Sequence, residues 1–249
     1  MQEPSPAIVI IPARMASTRL PGKPLVDLHG EPMVVHVAKR AAAADIGPVV
    51  VAAAEPEIAS AVTAAGGRAV LTRPDHPSGS DRVFEAAQSI DPQHRYPIVV
   101  NLQGDLPTIE ASAIQAVLAP LADPAVLVAT LVAEAAPEER EDPNVVKAVV
   151  ALAPGCRSGR ALYFSRAAVP WGDGPLYHHI GIYAYRRAVL ARFVGLPPSV
   201  LERRERLEQL RLLENGLRID AALVDTVPLG VDTPNDLARA RRLLAPKPV

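Results

Sequence analysis

Three cations fall within ten residues near the start of the chain: Arg14, Arg19 and Lys23, in Pro12-Ala13-Arg14-Met15-Ala16-Ser17-Thr18-Arg19-Leu20-Pro21-Gly22-Lys23. The two guanidinium forks suit paired contacts with phosphate oxygens, and the ammonium supplies a point charge. Ala13, Ala16 and Ser17 are small enough to let the backbone come close to a ligand. Without bound anions, three like charges packed this closely would repel one another. The spacing therefore points to a loop that holds the phosphates of a nucleotide. The other reading is a solvated turn whose arginines pair with surface carboxylates. Neither GxxxxGK[ST] nor GxGxxG is present, which disfavours P-loop kinases and ordinary dinucleotide enzymes.

Two acidic positions follow the same logic. In Gln103-Gly104-Asp105-Leu106-Pro107, a carboxylate comes just after an apolar run. There it can ligate Mg²⁺, which takes one or two protein carboxylates plus phosphate oxygens and water; it can equally serve only the turn. In Gly230-Val231-Asp232-Thr233-Pro234-Asn235-Asp236, Thr233 suits a helix N-cap, Pro234 the first helical position and Asp236 the third. That leaves Asp232 free to be a second Mg²⁺ carboxylate, if the fold brings it beside Asp105.

Other candidates are more local. The polar run Thr72-Arg73-Pro74-Asp75-His76-Pro77-Ser78-Gly79-Ser80-Asp81-Arg82 can contact a base or ribose through backbone groups, or simply cap a helix with Ser80. His178 and His179 are neighbours on an expected strand, so they point to opposite faces and cannot chelate one metal together; Tyr183 shares the face of His179. Glu205, Glu208 and Gln209 share one face of an expected helix, either as a functional surface or as a solvated charged one.

The elements that must position these residues alternate in type. Ala7–Ile11, Val49–Ala53, Arg68–Leu71 and Ile98–Leu102 read as strands, the most apolar of them buried on both faces of a parallel sheet. Helices are expected from Pro32 to about Ala44, from about Pro56 to the Gly66-Gly67 stop, over Ser80–Ile90, and from a Thr108 cap to about Leu118. Val126–Val132, Val145–Val150, Ala161–Ser165, Ile180–Tyr185 and Ile219–Val224 follow as strands, with an irregular, mobile loop around Pro170 to Pro175. Leu201–Asn215 and Thr233–Leu244 are the last expected helices. The alternation implies a doubly wound α/β fold whose ligands bind beyond the carboxyl ends of the strands. One domain, 1–249, is expected, with roughly 155–225 as its substrate-binding and dimer-forming portion.

Composition excludes several classes. With 26 Lys and Arg against 27 Asp and Glu in 249 residues, the chain is not built for non-specific nucleic-acid binding. At 4% aromatic content, a stacking surface for single strands is not expected either. Cys156 is the only cysteine, so no internal disulfide forms. No apolar run approaches the roughly 18 residues of a membrane span. The start, Met-Gln-Glu-Pro-Ser-Pro, is unlike a signal peptide. A cytoplasmic location is expected, with no membrane and no nucleic-acid partner.

Taken together, IIPARMASTRLPGKPL, TRPDHPSGSDR, VNLQGD, PNVVK, ALYFSRAAVPW, HHIGIYAYR, LEQLR and GVDTPNDL resemble the 3-deoxy-manno-octulosonate cytidylyltransferases, over essentially the whole chain. The first piece is shared more loosely with other cytidylyltransferases; the later ones, in this order, are more specific. The resemblance implies a nucleotide-diphospho-sugar transferase-like (Rossmann-like) α/β fold: a mixed, mostly parallel sheet with flanking helices, usually in a homodimer. It implies that CTP and 3-deoxy-D-manno-octulosonate (Kdo) give CMP-Kdo and pyrophosphate with Mg²⁺, for lipopolysaccharide biosynthesis. By the same resemblance, Ala13, Arg14, Ser17 and Lys23 would hold the triphosphate, with Arg19 orienting the sugar acid, and Arg14, Arg19 and Lys23 would be the catalytic cations. Arg73, Ser78 and Gly79 would lie near the cytidine. Gln103, His179, Tyr183, Glu208 and Gln209 would line the sugar pocket, and Asp105 and Asp232 would bind Mg²⁺. The chain departs from the family pattern at Leu106, where a Glu is usual, at Ala52-Ala53-Ala54, and at Arg203, Arg204 and Arg206. Two other readings stay open: a cytidylyltransferase for a related 2-keto sugar acid (amino-Kdo or a sialic acid), and a non-catalytic nucleotide-binding regulator. Retention of both aspartates with the three cations argues against the second.

Overall fold

The buried apolar runs form strands, as their composition requires. The structure, a computed structural model, describes residues 7–245; the reading of the first six residues lies outside that range. The chain divides into two compact units, 1–114 with 228–249, and 115–227. The sequence offers no composition shift at either boundary.

In the first unit, β1 (Ala7–Ala13) is followed by a small ladder of β2 (Asp27–Leu28) and β3 (Glu31–Pro32), then α1 (Met33–Ala43), β4 (Val49–Ala53), α2 (Pro56–Ala64), β5 (Ala69–Leu71), α3 (Gly79–Ile90) and β6 (Ile98–Leu102). The four larger strands lie side by side in the order β5-β4-β1-β6, all parallel. Every residue of β6 is buried, and Ile8, Val9, Ile10 and Ile11 of β1 are at most 1% exposed. That is why these strands read as continuous apolar runs rather than alternating ones. α4 (Ala111–Ala116) leads into the second unit, and α8 (Pro234–Leu243) returns to the first. α8 seals a small core of Leu20, Leu28, Met33, Val231, Leu237 and Ala240.

The second unit holds β7 (Val128–Glu134), β8 (Lys147–Ala151), β9 (Ser158–Ser165), β10 (Tyr177–Arg186), α5 (Arg187–Val194), α6 (Val200–Glu205), α7 (Leu210–Glu214) and β11 (Ile219–Val224). Its strands run β10-β7-β11-β9-β8, and β10 also pairs with β8 at Tyr177 and His178. Only β7 and β11 are parallel here. The α/β class and the mixed sheet are as expected, with most of the parallel pairing in the first unit. Successive strands such as β8 and β9 are joined too briefly for the helical crossover that parallel pairing needs.

Four local expectations are corrected. Pro32 is extended (φ −60°, ψ 142°) and caps α1 instead of opening it, because β3 claims it for the ladder with Asp27. α3 is capped by Ser78, whose Oγ accepts from Asp81 N, and Ser80 lies inside the helix. Thr108 caps no helix; its Oγ1 accepts from Leu229 N at 2.8 Å. The single helix expected over 201–215 is two, because Arg206 adopts a left-handed φ of 56° and ends α6.

Candidate active site

β1 ends beside β6, and the loops leaving both strands face the same space. Gly104 makes this approach possible: a Cβ there would lie 3.1 Å from the Pro12 carbonyl oxygen. After β1 the chain turns at Ser17, whose Oγ accepts from Leu20 N (3.3 Å), and at Gly22, which has a left-handed φ of 67°. One turn of 3₁₀ helix, Lys23–Leu25, follows. Glu55, just past β4, anchors the loop's far side by accepting from Met15 N at 3.0 Å.

Asp105 and Asp232, far apart in sequence, are brought together by two clamps on the returning chain. Leu229 N donates to Thr108 Oγ1, and Val231 N donates to the Asp105 carbonyl at 2.9 Å. The expected cap of α8 then forms, Thr233 with Asp236, so Asp232 is not consumed by it. Its carboxylate turns to the cationic loop. Lys23 Nζ lies 2.7 Å from Asp105 Oδ2 and 2.7 Å from Asp232 Oδ1, and Arg19 Nη2 lies 2.9 Å from Asp232 Oδ2. Mutual repulsion of the loop cations is thus relieved from within, by two aspartates rather than by bound anions alone. Burial opposes the charge on Lys23, but the Asp105 and Asp232 carboxylates outweigh it and raise its pKa above the ordinary lysine value. The two carboxylates form a hard-oxygen donor set of the kind Mg²⁺ takes, completed by phosphate oxygens and water.

These groups border a cleft of about 700 Å³. Ala13, Arg14, Ser17, Arg19, Lys23, Ser78, Gly79, Gln103, Asp105 and Asp232 all line it, as do Pro12 and Thr18. Arg73 does not: its guanidinium lies 3.6 Å from Glu85 and 4.0 Å from Asp75. Arg82 and His76 also line the cleft, although the sequence reading took their run only for its backbone groups and helix cap, not for these side chains. Arg82 is 2% exposed and donates to Thr72 Oγ1, to the Arg73 carbonyl (3.0 Å) and to the Pro74 carbonyl (3.3 Å), fastening the 72–76 loop. Burial lowers its pKa, Glu55 opposes the shift and Arg14 reinforces it. His76 is buried, with Nε2 bonded to Glu85. Both belong to the run TRPDHPSGSDR, but no periodicity marks an arginine whose partners are loop carbonyls. Leu106 is 8% exposed and does not line the cleft.

Arg19 and Gln103 belong to the first unit; His179, Tyr183, Glu208 and Gln209 belong to the second. Within the second, β10 carries an irregularity between Ile180 and Tyr183, yet the His179 and Tyr183 rings still meet at 5.5 Å. Thr130 Oγ1 donates to the Ile182 carbonyl (2.8 Å) and so accepts from His179 Nε2 (3.0 Å). Burial, with His178 adding to it, depresses the His179 pKa to about 3, so the ring is neutral. Burial, then Tyr185 and Glu208, hold the Tyr183 hydroxyl well above its ordinary range. Gln209 is 7% exposed, and Glu208 lies 3.7 Å from Arg211 Nη2. Glu205 faces elsewhere, accepting from Ser165 Oγ (2.9 Å) and Arg166 N (3.1 Å).

A family model described as cytidylyltransferase covers residues 8–219. The chain is 65% identical over 245 residues to the 3-deoxy-manno-octulosonate cytidylyltransferase of Rhodospirillum centenum, covering 98% of this chain and 95% of that protein. It is 67% identical over 238 residues to the enzyme of that name from Paramagnetospirillum magneticum, covering 95% and 97%. A solved CMP:2-keto-3-deoxy-manno-octonic acid synthetase complexed with CTP superposes with a TM-score of 0.89 at 42% identity, covering 96% of this chain and 98% of that one. The chain belongs to the cytidylyltransferase family, among the 3-deoxy-manno-octulosonate cytidylyltransferases.

Proposed function

We infer that this nucleotidyltransferase joins CTP to Kdo, releasing pyrophosphate and giving CMP-Kdo for lipopolysaccharide assembly. The observation that carries the reading is the meeting of Lys23 and Arg19 with Asp105 and Asp232 on the wall of one cleft. It fits the bound CTP and the name of the synthetase that superposes on this chain.

In the reaction, the anomeric hydroxyl of the sugar acid attacks the α-phosphorus. A new P–O bond forms as the α–β phosphoanhydride bond breaks, the hydroxyl gives up its proton to solvent water, and pyrophosphate leaves in line. Little covalent help is needed, so positioning and charge neutralisation carry the rate. Arg14 and Lys23, with the Ala13 and Ser17 backbone, hold the triphosphate. Arg19 spans the sugar carboxylate and the phosphates. Ser78 and Gly79 flank the cytidine on a loop that Arg82 fastens, and Arg73 supports that loop from outside the cleft. In the second unit, His179, Tyr183, Glu208 and Gln209 are the groups offered to the sugar acid, with His179 neutral and hydrogen-bonding rather than charged. Asp105 and Asp232 would hold Mg²⁺, which when bound would supply charge neutralisation and orientation at the phosphates.

The reading extends to a cytoplasmic homodimer. The second unit exposes Leu162 (54%), Trp171 (98%) and Val200 (67%), side chains that a partner subunit would cover. No helix among the described residues is long and apolar enough to cross a membrane. The test is pyrophosphate release with Mg²⁺ and CTP, with and without Kdo, against UTP, GTP and ATP. Release that needs both CTP and Kdo supports the assignment; release with another sugar acid but none with Kdo replaces the substrate. Light scattering reports the dimer.

A further inference from the structure

We propose that Lys23 is a resident counter-ion that closes the Asp105–Asp232 pair to divalent metal until a nucleotide's phosphates draw it away, so that metal and nucleotide enter together. This rests on the reading of Asp105 and Asp232 as the metal-holding pair. The ammonium sits between the two carboxylates, 2.7 Å from each. Its side chain is 15% exposed, so it is not a surface charge wandering past them. The backbone under it is held by the Gly22 turn and the 3₁₀ helix, whereas a lysine's four-carbon stem is intrinsically flexible. Arg19 takes the remaining Asp232 oxygen from the solvent side, at 60% exposure. Two cations thus match two carboxylates, and the cleft is neutral at its acidic end.

A divalent ion seeking these carboxylates must come within about 2.1 Å of oxygens that Lys23 already engages. It must also sit beside an ammonium that repels it. A triphosphate in the same cleft removes both obstacles, because it offers Lys23 another anionic partner a side-chain rotation away. The same linkage runs in reverse: metal that displaces Lys23 sends it toward the phosphates, so each ligand strengthens the other by the same factor.

The test uses manganese(II) as the probe, titrated into nucleotide-free full-length protein and followed by electron paramagnetic resonance. Lys23→Met is expected to bind manganese about tenfold or more tightly than the wild type, because the competing charge is gone. Lys23→Gln, which keeps a hydrogen-bonding group between the carboxylates, is expected to tighten as well; it serves if the methionine variant does not give a cooperative thermal transition. Unchanged manganese affinity in folded Lys23→Met and Lys23→Gln would overturn the counter-ion role. Adding Asp105→Asn to the Lys23→Met protein separates the two readings. Loss of the manganese site there upholds the metal-holding pair, whatever Lys23 does. Retention of full affinity removes that pair, and the proposal with it.

Discussion

Replacing Asp105 by Asn separates chemistry from stability. At 2.7 Å and an effective dielectric near 20, the gross attraction between Asp105 and Lys23 is about 6 kcal/mol. Most of it is offset by the cost of holding the charges partly out of water, since the two side chains are 29% and 15% exposed. Asn still accepts a hydrogen bond, Lys23 keeps Asp232, and the repulsion between the aspartates disappears. The net loss of stability is then about 1 kcal/mol, a fall in Tm of roughly 2–4 °C for a chain of this size. The lost negative charge weighs far more on turnover. Removing one preorganised electrostatic contact to a reacting centre costs about 10²–10³ in kcat, or about 3–4 kcal/mol. The assay is steady-state pyrophosphate release at saturating CTP, Kdo and Mg²⁺, run beside a thermal melt. A kcat within about threefold of wild type would refute the role of Asp105. So would an activity loss that vanishes at a temperature where the variant is fully folded.

Three further outcomes follow from contacts around the cleft and in the second unit. Glu55→Ala frees the Met15 amide and loosens the cationic loop, so KM for CTP should rise several-fold with kcat changed less; an unaltered KM would show that the loop holds itself. Arg82→Leu leaves the Arg73 and Pro74 carbonyls without their donor and should cost about 3 kcal/mol in urea unfolding, against near-zero change if water replaces the guanidinium. His179 titrates near 3 in the folded protein and near its ordinary value of 6.5 when unfolded, so the unfolded chain binds the extra proton between those limits. Its contribution is therefore complete above about pH 6.5 and declines as pH falls toward 3, by up to about 1.4 kcal/mol per pH unit. His179→Phe should flatten the stability–pH curve in that window, and an identical slope in both proteins would contradict the neutral, buried ring.

The central strands of the first unit were legible because burial on both faces writes itself as unbroken apolar runs: Ile98–Leu102 is the same segment in the sequence reading and in the structure, whereas the short β2–β3 ladder left no such run. The cap of α8 was legible for a similar reason, since Thr233, Pro234 and Asp236 act on their own neighbours. Long-range contacts were not. Thr108 looks like a local cap and instead holds Leu229, and that contact helps bring Asp232 to Asp105. Arg206 gives no warning that it will take a left-handed conformation, because glycine or asparagine usually marks such a helix end. Arg82 shows the same limit at the cleft. Its partners are backbone carbonyls, which carry no sequence signal. The meeting of Asp232 with Asp105 could be framed only as contingent on the fold, and the pairing of Lys23 with both was not foreseen, since charge balance within a site depends on which distant carboxylates arrive there.

The most direct measurement follows an oxygen atom. Kdo labelled with ¹⁸O at its anomeric hydroxyl is mixed with CTP and Mg²⁺, and the products are read by ³¹P resonance. Attack by that hydroxyl on the α-phosphorus predicts the label in the bridge of CMP-Kdo, shifting the CMP phosphorus signal and leaving pyrophosphate unlabelled. Label in the pyrophosphate, or no labelled CMP-sugar at all with active enzyme, would contradict the account.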